Sequence, residues 1–316
     1  MTSRHASCLH FVVVICLASI YSTVNAQSQI SSAPNPEPRR MVILNVRVTD
    51  STNHAVVDVN QDAFSVTEDG VAQKITFFSK AIIPLSYGLL IDNSASLRTQ
   101  LNAVIQTGAK IVDSNKQDDE TFIVRFISRD KIETVQEVTS DKRLLIGALA
   151  NLYVEGGQTA IIDALYLSVE KLAKRMTESK LRRQALILIT DGEERSSFYK
   201  QAQLFELLAK NDIQIYVVGF ANELTGKTKT RAVELLTRLA TDTGGRVFFP
   251  QSLGELAHIA DQIVSDIRTQ YVIGYVPSGN GADNSFHKVQ VSIANNPEQE
   301  KRIAISRVGY SASGKD

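Results

Sequence analysis

Two aspartates, two serines and a threonine stand in three short polar runs that interrupt apolar stretches. Asp92-Asn93-Ser94-Ala95-Ser96 follows Leu89-Leu90-Ile91. Gly156-Gly157-Gln158-Thr159 precedes a long amphipathic segment, and Thr190-Asp191-Gly192 follows the apolar run 185–189. Every donor in this set is an oxygen, which suits hard cations such as Mg²⁺, Ca²⁺ or Mn²⁺ and disfavours Zn²⁺ or Cu²⁺. Mg²⁺ keeps several of its waters, so a site with few carboxylates fits it first. Two carboxylates roughly neutralise a divalent ion, and an open coordination position would accept an acidic group from a partner. Asp92, Ser94, Ser96, Thr159 and Asp191 are therefore candidate ligands of Mg²⁺, with Mn²⁺ or Ca²⁺ as alternatives.

Each run also has an ordinary explanation. Ser and Asp are common helix N-caps, so Ser94, Ser96 or Thr159 would simply start a helix, and Asp-Gly is a frequent turn. What favours a shared site is that all three runs fall at matching ends of separate elements. Other polar groups read as bland: Glu193, Glu194 and Arg195 as a solvated loop, Asp118-Asp119-Glu120 as a polar turn, and His54, His258 and His287 as distant from any motif. Tyr271 and Tyr275 alternate along a strand and read as core or interface packing.

The elements that must position these residues follow from periodicity. Leu85 to Ile91, 185–189 and 213–218 are continuous apolar runs, as expected of strands buried on both faces. Residues 122–127 and 132–138 read as two strands joined at Arg129-Asp130, and 247–249 as a short sixth strand. Helical spacing links Leu97, Leu101, Val104, Ile105, Ile111 and Val112; Ile162, Leu165, Val169, Leu172 and Met176; and Leu256, Ile259, Ile263 and Ile267. Residues 204–209 and 233–240 are further helical stretches. Six strands with helices between them predict an α/β fold, a doubly wound, mostly parallel six-stranded sheet. In strand order 3-2-1-4-5-6, strands 1 and 4 flank the point where the order reverses, and they deliver Asp92 and Asp191 to the same crevice. Before this region, residues 41–80 alternate at Val42, Leu44, Val46 and Val48, then at Phe64, Val66, Ile75 and Phe77, with a turn at Glu68-Asp69-Gly70. After it, 271–316 returns to β character. These two segments are expected to pair as a small accessory β-sandwich.

With those residues in place, the sequence resembles the von Willebrand factor A family. Asp92-x-Ser94-x-Ser96, Thr159 in Gly-Gly-x-Thr and Thr190-Asp191-Gly192 match its metal-ion-dependent adhesion site in order. The resemblance covers roughly Pro84 to Gln270, and 64–73 (FSVTEDGVAQ) and 270–277 (QYVIGYVP) are similar to the related domain of acidobacterial exported proteins. It implies a Rossmann-like domain at 81–270. Ser94, Ser96 and Thr159 would touch the ion directly, Asp92 and Asp191 would act partly through water, and a protein ligand would supply a carboxylate.

Composition sets the remaining bounds. The chain has 316 residues, enough for a well-buried core, and its 34 basic and 34 acidic residues balance, which removes the usual attraction to nucleic acid or an acidic membrane surface. Arg4, the apolar run 11–20 (FVVVICLASI) and Val24-Asn25-Ala26 form the three parts of a secretory signal over 1–26; retention as an anchor is the alternative. Residues 27–40, rich in Ser, Pro, Asn and Gln, read as a linker. Both cysteines, Cys8 and Cys16, lie within the signal, so the mature chain would have no disulfide and no thiolate site, and since no other stretch is long and apolar enough, no further membrane span is expected. The expected protein is exported, to the cell envelope or beyond, and is a metal-dependent binding module rather than an enzyme. A phosphotransferase using Asp92 as nucleophile would want a second carboxylate where Ser94 stands. The hydrolase elbow Gly-x-Ser-x-Gly and the dinucleotide loop Gly-x-Gly-x-x-Gly are both absent. The alternative is a metal-independent structural or assembly component.

Overall fold

The computed structural model describes residues 41–176, 182–278, 285–294 and 301–312. The expected signal and linker, 1–40, lie outside them. In chain order the strands are β1 (Val42–Thr49), β2 (Phe64–Glu68), β3 (Val71–Gln73), β4 (Ile75–Ser79), β5 (Leu85–Asp92), β6 (Glu120–Phe126), β7 (Ile132–Thr139), β8 (Arg183–Thr190), β9 (Ile213–Gly219), β10 (Arg246–Phe248), β11 (Gln270–Tyr275), β12 (Phe286–Ile293), β13 (Ile303–Ile305) and β14 (Gly309–Ser311). The helices are α1 (Leu101–Asp113), α2 (Lys142–Ala150), α3 (Ile161–Met176), α4 (Gln201–Lys210), α5 (Gly226–Asp242) and α6 (Leu256–Arg268).

The central sheet runs β10-β9-β8-β5-β6-β7, parallel except for the β6–β7 hairpin. This is the order in which the first and fourth strands, β5 and β8, lie side by side where the winding reverses. Every residue of β5, β8 and β9 is buried, as their apolar runs require. Alternate side chains of β5 feed two cores. Leu85, Tyr87, Leu89 and Ile91 pack with α1, α2 and α6 on one face, while Leu90 packs with α3, α4 and α5 on the other. Gly88 allows Phe122 to cross β5 closely: a Cβ there would stand 2.4 Å from the ring.

Two four-stranded antiparallel sheets, β13-β1-β11-β4 and β14-β12-β2-β3, make the accessory sandwich. Val42, Leu44, Val46 and Val48 face its core with Phe64, Val66, Tyr271, Ile273, Tyr275, Val289 and Val291. The Glu68-Asp69-Gly70 turn closes the β2–β3 hairpin, with Asp69 at φ 49° and Gly70 at φ 82°. The other face of β1 is buried too, through Arg47 and Thr49, because it abuts the α/β domain. Among the described residues no helix is long and apolar enough to cross a membrane.

Candidate metal centre

Register places two of the three polar runs at one edge, and loop hydrogen bonds tie the third to them. β5 and β8 pair in parallel from Leu85↔Arg183 to Ile91↔Ile189, so Asp92 and Thr190 emerge together at the carboxyl edge of the sheet. Asp92 is fully buried, and both of its oxygens are engaged: Oδ1 accepts the Ser94 N–H at 2.9 Å and Oδ2 accepts the Thr190 hydroxyl at 2.7 Å. Burial pushes its carboxyl up to about 6. The Thr190 bond opposes that shift, the nearby charge of Asp191 adds to it, and the bonds from Ser94 oppose it.

Ser94 Oγ and Ser96 Oγ lie 2.8 Å apart. Ser94 precedes a short 3₁₀ turn, 95–97, yet its side chain makes no capping bond, and α1 is preceded by Gln100. Helix capping therefore does not account for these hydroxyls. The first N–H groups of α3 are likewise taken by residues other than Thr159: Ile162 donates to Glu194 Oε2 at 3.0 Å and Asp163 to Ser197 Oγ at 3.2 Å. Thr159 is buried, and its carbonyl accepts the N–H groups of Arg195 (2.9 Å) and Ser196 (3.2 Å), which binds its loop to the loop after Asp191. On the other side, Glu155 N–H donates to the Asn93 carbonyl at 3.0 Å, and Asn93 Nδ2 to the Tyr153 carbonyl at 2.6 Å. Asp191 is buried with Oδ1 accepting the Glu193 N–H at 2.9 Å. Gly192, at φ +90°, turns the chain directly after it, and a Cβ there would stand 2.8 Å from Leu236.

The structure thus joins Asp92, Ser94, Ser96 and Thr190 in one hydrogen-bonded set, brings Asp191 into electrostatic reach of Asp92, and laces the Thr159 loop to both flanking loops. It places no direct hydrogen bond between Thr159 or Asp191 and the serines. Among the described residues, Thr159 Oγ1 and Asp191 Oδ2 have no hydrogen-bond partner, while Asn93 Oδ1 is buried without one. Oxygen donors left open beside two neighbouring carboxylates are the chemistry a hard divalent cation satisfies.

Three residues carry more than their sequence context indicates. Thr190 braces Asp92 and also accepts the Gly192 N–H at 3.0 Å. Glu194 is an anchor rather than a solvated side chain: besides Ile162 it accepts the Ser197 N–H (3.0 Å) and hydroxyl (2.9 Å). Asp163 receives the Phe198 and Tyr199 N–H groups, both at 2.8 Å. Both roles join segments more than thirty residues apart, which local spacing does not encode. Asp119, read as part of a polar turn, is buried and holds the start of β5 through the Leu85 N–H at 2.8 Å. A second group of possible ligands, Glu68, Asp69 and His287, lies in the sandwich. Its members already serve one another and their surroundings: Asp69 meets the His287 ring at 2.8 Å, and Glu68 accepts the hydroxyls of Tyr275 and Tyr310.

Parts of the chain are similar to known proteins. Over 183 residues the chain is 24% identical to an uncharacterized protein of Synechocystis sp., covering 57% of this chain and 41% of that protein. The chain thus spans about two fifths of that relative's length. Among solved structures, an aerotolerance-related membrane protein from Bacteroides fragilis matches 57% of this chain and 98% of its own, at 19% identity and a TM-score of 0.44. A von Willebrand factor type A protein from Catenulispora acidiphila matches 88% of this chain and 74% of its own, at 14% identity and a TM-score of 0.46. The model of the von Willebrand factor type A domain matches residues 88–262, more than half of the chain and the whole span from β5 into α6, so the chain belongs to the von Willebrand factor type A domain family.

Proposed function

We propose that the protein is an exported binding module that holds a divalent cation, Mg²⁺ first, at Asp92, Ser94, Ser96, Thr159 and Asp191, and engages an acidic group of a protein partner through it. The observation that carries this is the convergence at the β5 and β8 ends: a buried Asp92 held by Ser94 and Thr190, paired serine hydroxyls beside it, and Asp191 near enough to penalise its ionisation. A cation offsets that repulsion and leaves a coordination position for the partner. Family membership supports the interaction role. Mn²⁺ or Ca²⁺ would serve the same donors.

We take the module to be non-enzymatic. Both Asp92 oxygens are already hydrogen-bonded, which disfavours it as a nucleophile, and no second carboxylate stands where Ser94 does. Export rests on the 1–26 signal pattern. Calorimetric titration with Mg²⁺ tests the central claim: the expected result is saturable uptake by the wild type, lost in Asp92→Ala. No uptake by the wild type, or equal uptake by the variant, would end it.

A metal-independent docking role is the second reading. It is favoured by two exposed aromatics on the loops around the site, Phe198 (71% exposed) and Tyr153 (54%). Partner capture that is equal with and without EDTA would select it.

A further inference from the structure

One charged surface beside the proposed metal site has no explanation in folding. Helix α5 opens Gly226-Lys227-Thr228-Lys229-Thr230-Arg231, placing three cations at the end of a helix that already carries partial positive charge. Lys227 and Arg231 stand four residues apart, where like charges share a helix face and repel. No acidic residue lies in the first turn, and Thr225 at the N-cap makes no side-chain bond. Among the described residues none of the three cations has an ion pair or a side-chain hydrogen bond. Helix-end cations elsewhere are placed or paired. Lys110, Lys210 and Arg268 lie in last turns and meet Asp261, Glu206 and Asp119, and Arg143 at the start of α2 meets Asp141.

The location of this basic turn gives it a use. The N–H of Phe220, just after β9, donates to the Thr190 carbonyl at 2.9 Å, so the chain leaves β9 level with the metal-site edge. Glu223 then accepts Gln100 Nε2 at 2.8 Å, four residues past Ser96. The first buried turn of α5 touches the segment after Asp191: a Cβ on Gly192 would stand 3.1 Å from the Ala232 Cβ. Lys227, Lys229 and Arg231 precede Ala232 in the first turns of the same helix, with Lys227 and Arg231 exposed on one face and Lys229 half-buried.

We infer that the first turns of α5 form the second half of the binding surface, and that the partner is an acidic segment carrying several carboxylates, one for the metal and its neighbours for Lys227, Lys229 and Arg231. This rests on the metal-site reading. Two carboxylates on a divalent ion leave a nearly neutral centre, which takes one carboxylate but does not distinguish a lone acid from an acidic cluster. The three cations supply that distinction. Exposed charge pairs contribute little singly and are screened by salt, so the preference is collective and falls with ionic strength.

The test uses two capped, fluorescein-labelled hexapeptides, hexa-aspartate and a glycine peptide with a single aspartate, and the full chain in Mg²⁺. The wild type is expected to bind hexa-aspartate more tightly, with a margin that shrinks as salt rises. Lys227→Glu/Lys229→Glu/Arg231→Glu should weaken hexa-aspartate binding about tenfold and leave single-aspartate binding and calorimetric Mg²⁺ uptake unchanged. Acids suit a helix N-terminus, so this variant keeps its fold, which circular dichroism checks. Hexa-aspartate binding unchanged in the triple variant, or no preference in the wild type, overturns the inference and leaves the metal site standing. Asp92→Ala binding both peptides in Mg²⁺ as tightly as the wild type does, or wild-type binding unchanged by EDTA, overturns the metal site itself.

Discussion

A carboxylate sealed at the end of a buried strand is held against its own solvation, and Asp92 shows how the surrounding residues divide that load. Thr190 and Ser94 donate to its two oxygens, yet burial and the charge of Asp191 still push its carboxyl up to about 6. That displacement corresponds to about 3 kcal/mol between the two protonation states. The sign is fixed: because the folded, cation-free protein holds this group above its ordinary range, the fold disfavours the ionised form. Stability is therefore intact below the ordinary carboxylate range and declines as pH rises through about 6. A bound cation favours the ionised form and removes the decline. Mg²⁺ should raise the melting temperature little at about pH 5 and clearly more at about pH 8. Thermal melts with Mg²⁺ and with EDTA at the two pH values check this, and an equal Mg²⁺ effect at both would count against Asp92 as part of the site. The sequence made Asp92, Ser94 and Ser96 readable through their spacing. It did not separate cation ligation from helix capping, because both use the same residue types; only the Ser94–Ser96 contact and the missing cap bond decide against capping here.

The elements follow the same division between what a short window encodes and what needs a neighbour in space. β5, β8 and β9 were legible as unbroken apolar runs, and α3 as a clean helical stripe. The helix α2, KRLLIGALA, was not: its apolar residues occupy several faces, and Leu144 remains 52% exposed, so no polar stripe marks it. The first turns of α5 escaped for a different reason. Gly226, two threonines and repelling cations are poor helix material, and the helix holds because Ala232, Leu235, Leu236 and Leu239 are buried further along. Glu194 is the clearest case of a role invisible locally, since it caps a helix that begins over thirty residues earlier in the chain. Its carboxylate meets the N-terminal end of α3 and the Ser197 side chain together. Glu194→Ala should therefore cost about 1–2 kcal/mol and speed amide exchange at Ser197 and in the Ile162 turn while leaving β8 protected. Unaltered exchange at both places would show that the loop is held by other contacts.

At the scale of the whole molecule, the sandwich and the α/β domain are joined by a buried polar seam rather than a linker. Helix α6 passes through Thr269 alone into β11, a central strand of the sandwich. Across the seam Arg47 on β1 meets Asp266 on α6 at 3.0 Å, with both side chains buried, and Arg246 approaches the same carboxylate at 3.4 Å. Gln270 bridges to Gln214 (2.9 Å) and Tyr216 (3.1 Å) at the amino end of β9, and Asn45 reaches Asp212 at 2.8 Å. Burial raises the Asp266 carboxyl, opposed chiefly by Arg47 and then by Arg246. Charges taken out of water in this way bring modest net stability as a pair, but stranding one of them is expensive. Arg47→Ala should therefore cost about 3–5 kcal/mol, leaving Asp266 with Arg246 alone. The loss should shrink as pH falls through the raised range of Asp266, because protonation removes the stranded charge. Replacing both partners, in Arg47→Met/Asp266→Leu, should recover much of the loss. Urea unfolding followed by circular dichroism and by tyrosine fluorescence checks the series. Coincident single transitions are expected, because a seam of this kind makes the two layers unfold as one. Separate transitions in the wild type, or a loss in Arg47→Ala below about 1 kcal/mol, would mean that the seam is a surface contact and that the sandwich folds independently of the α/β domain.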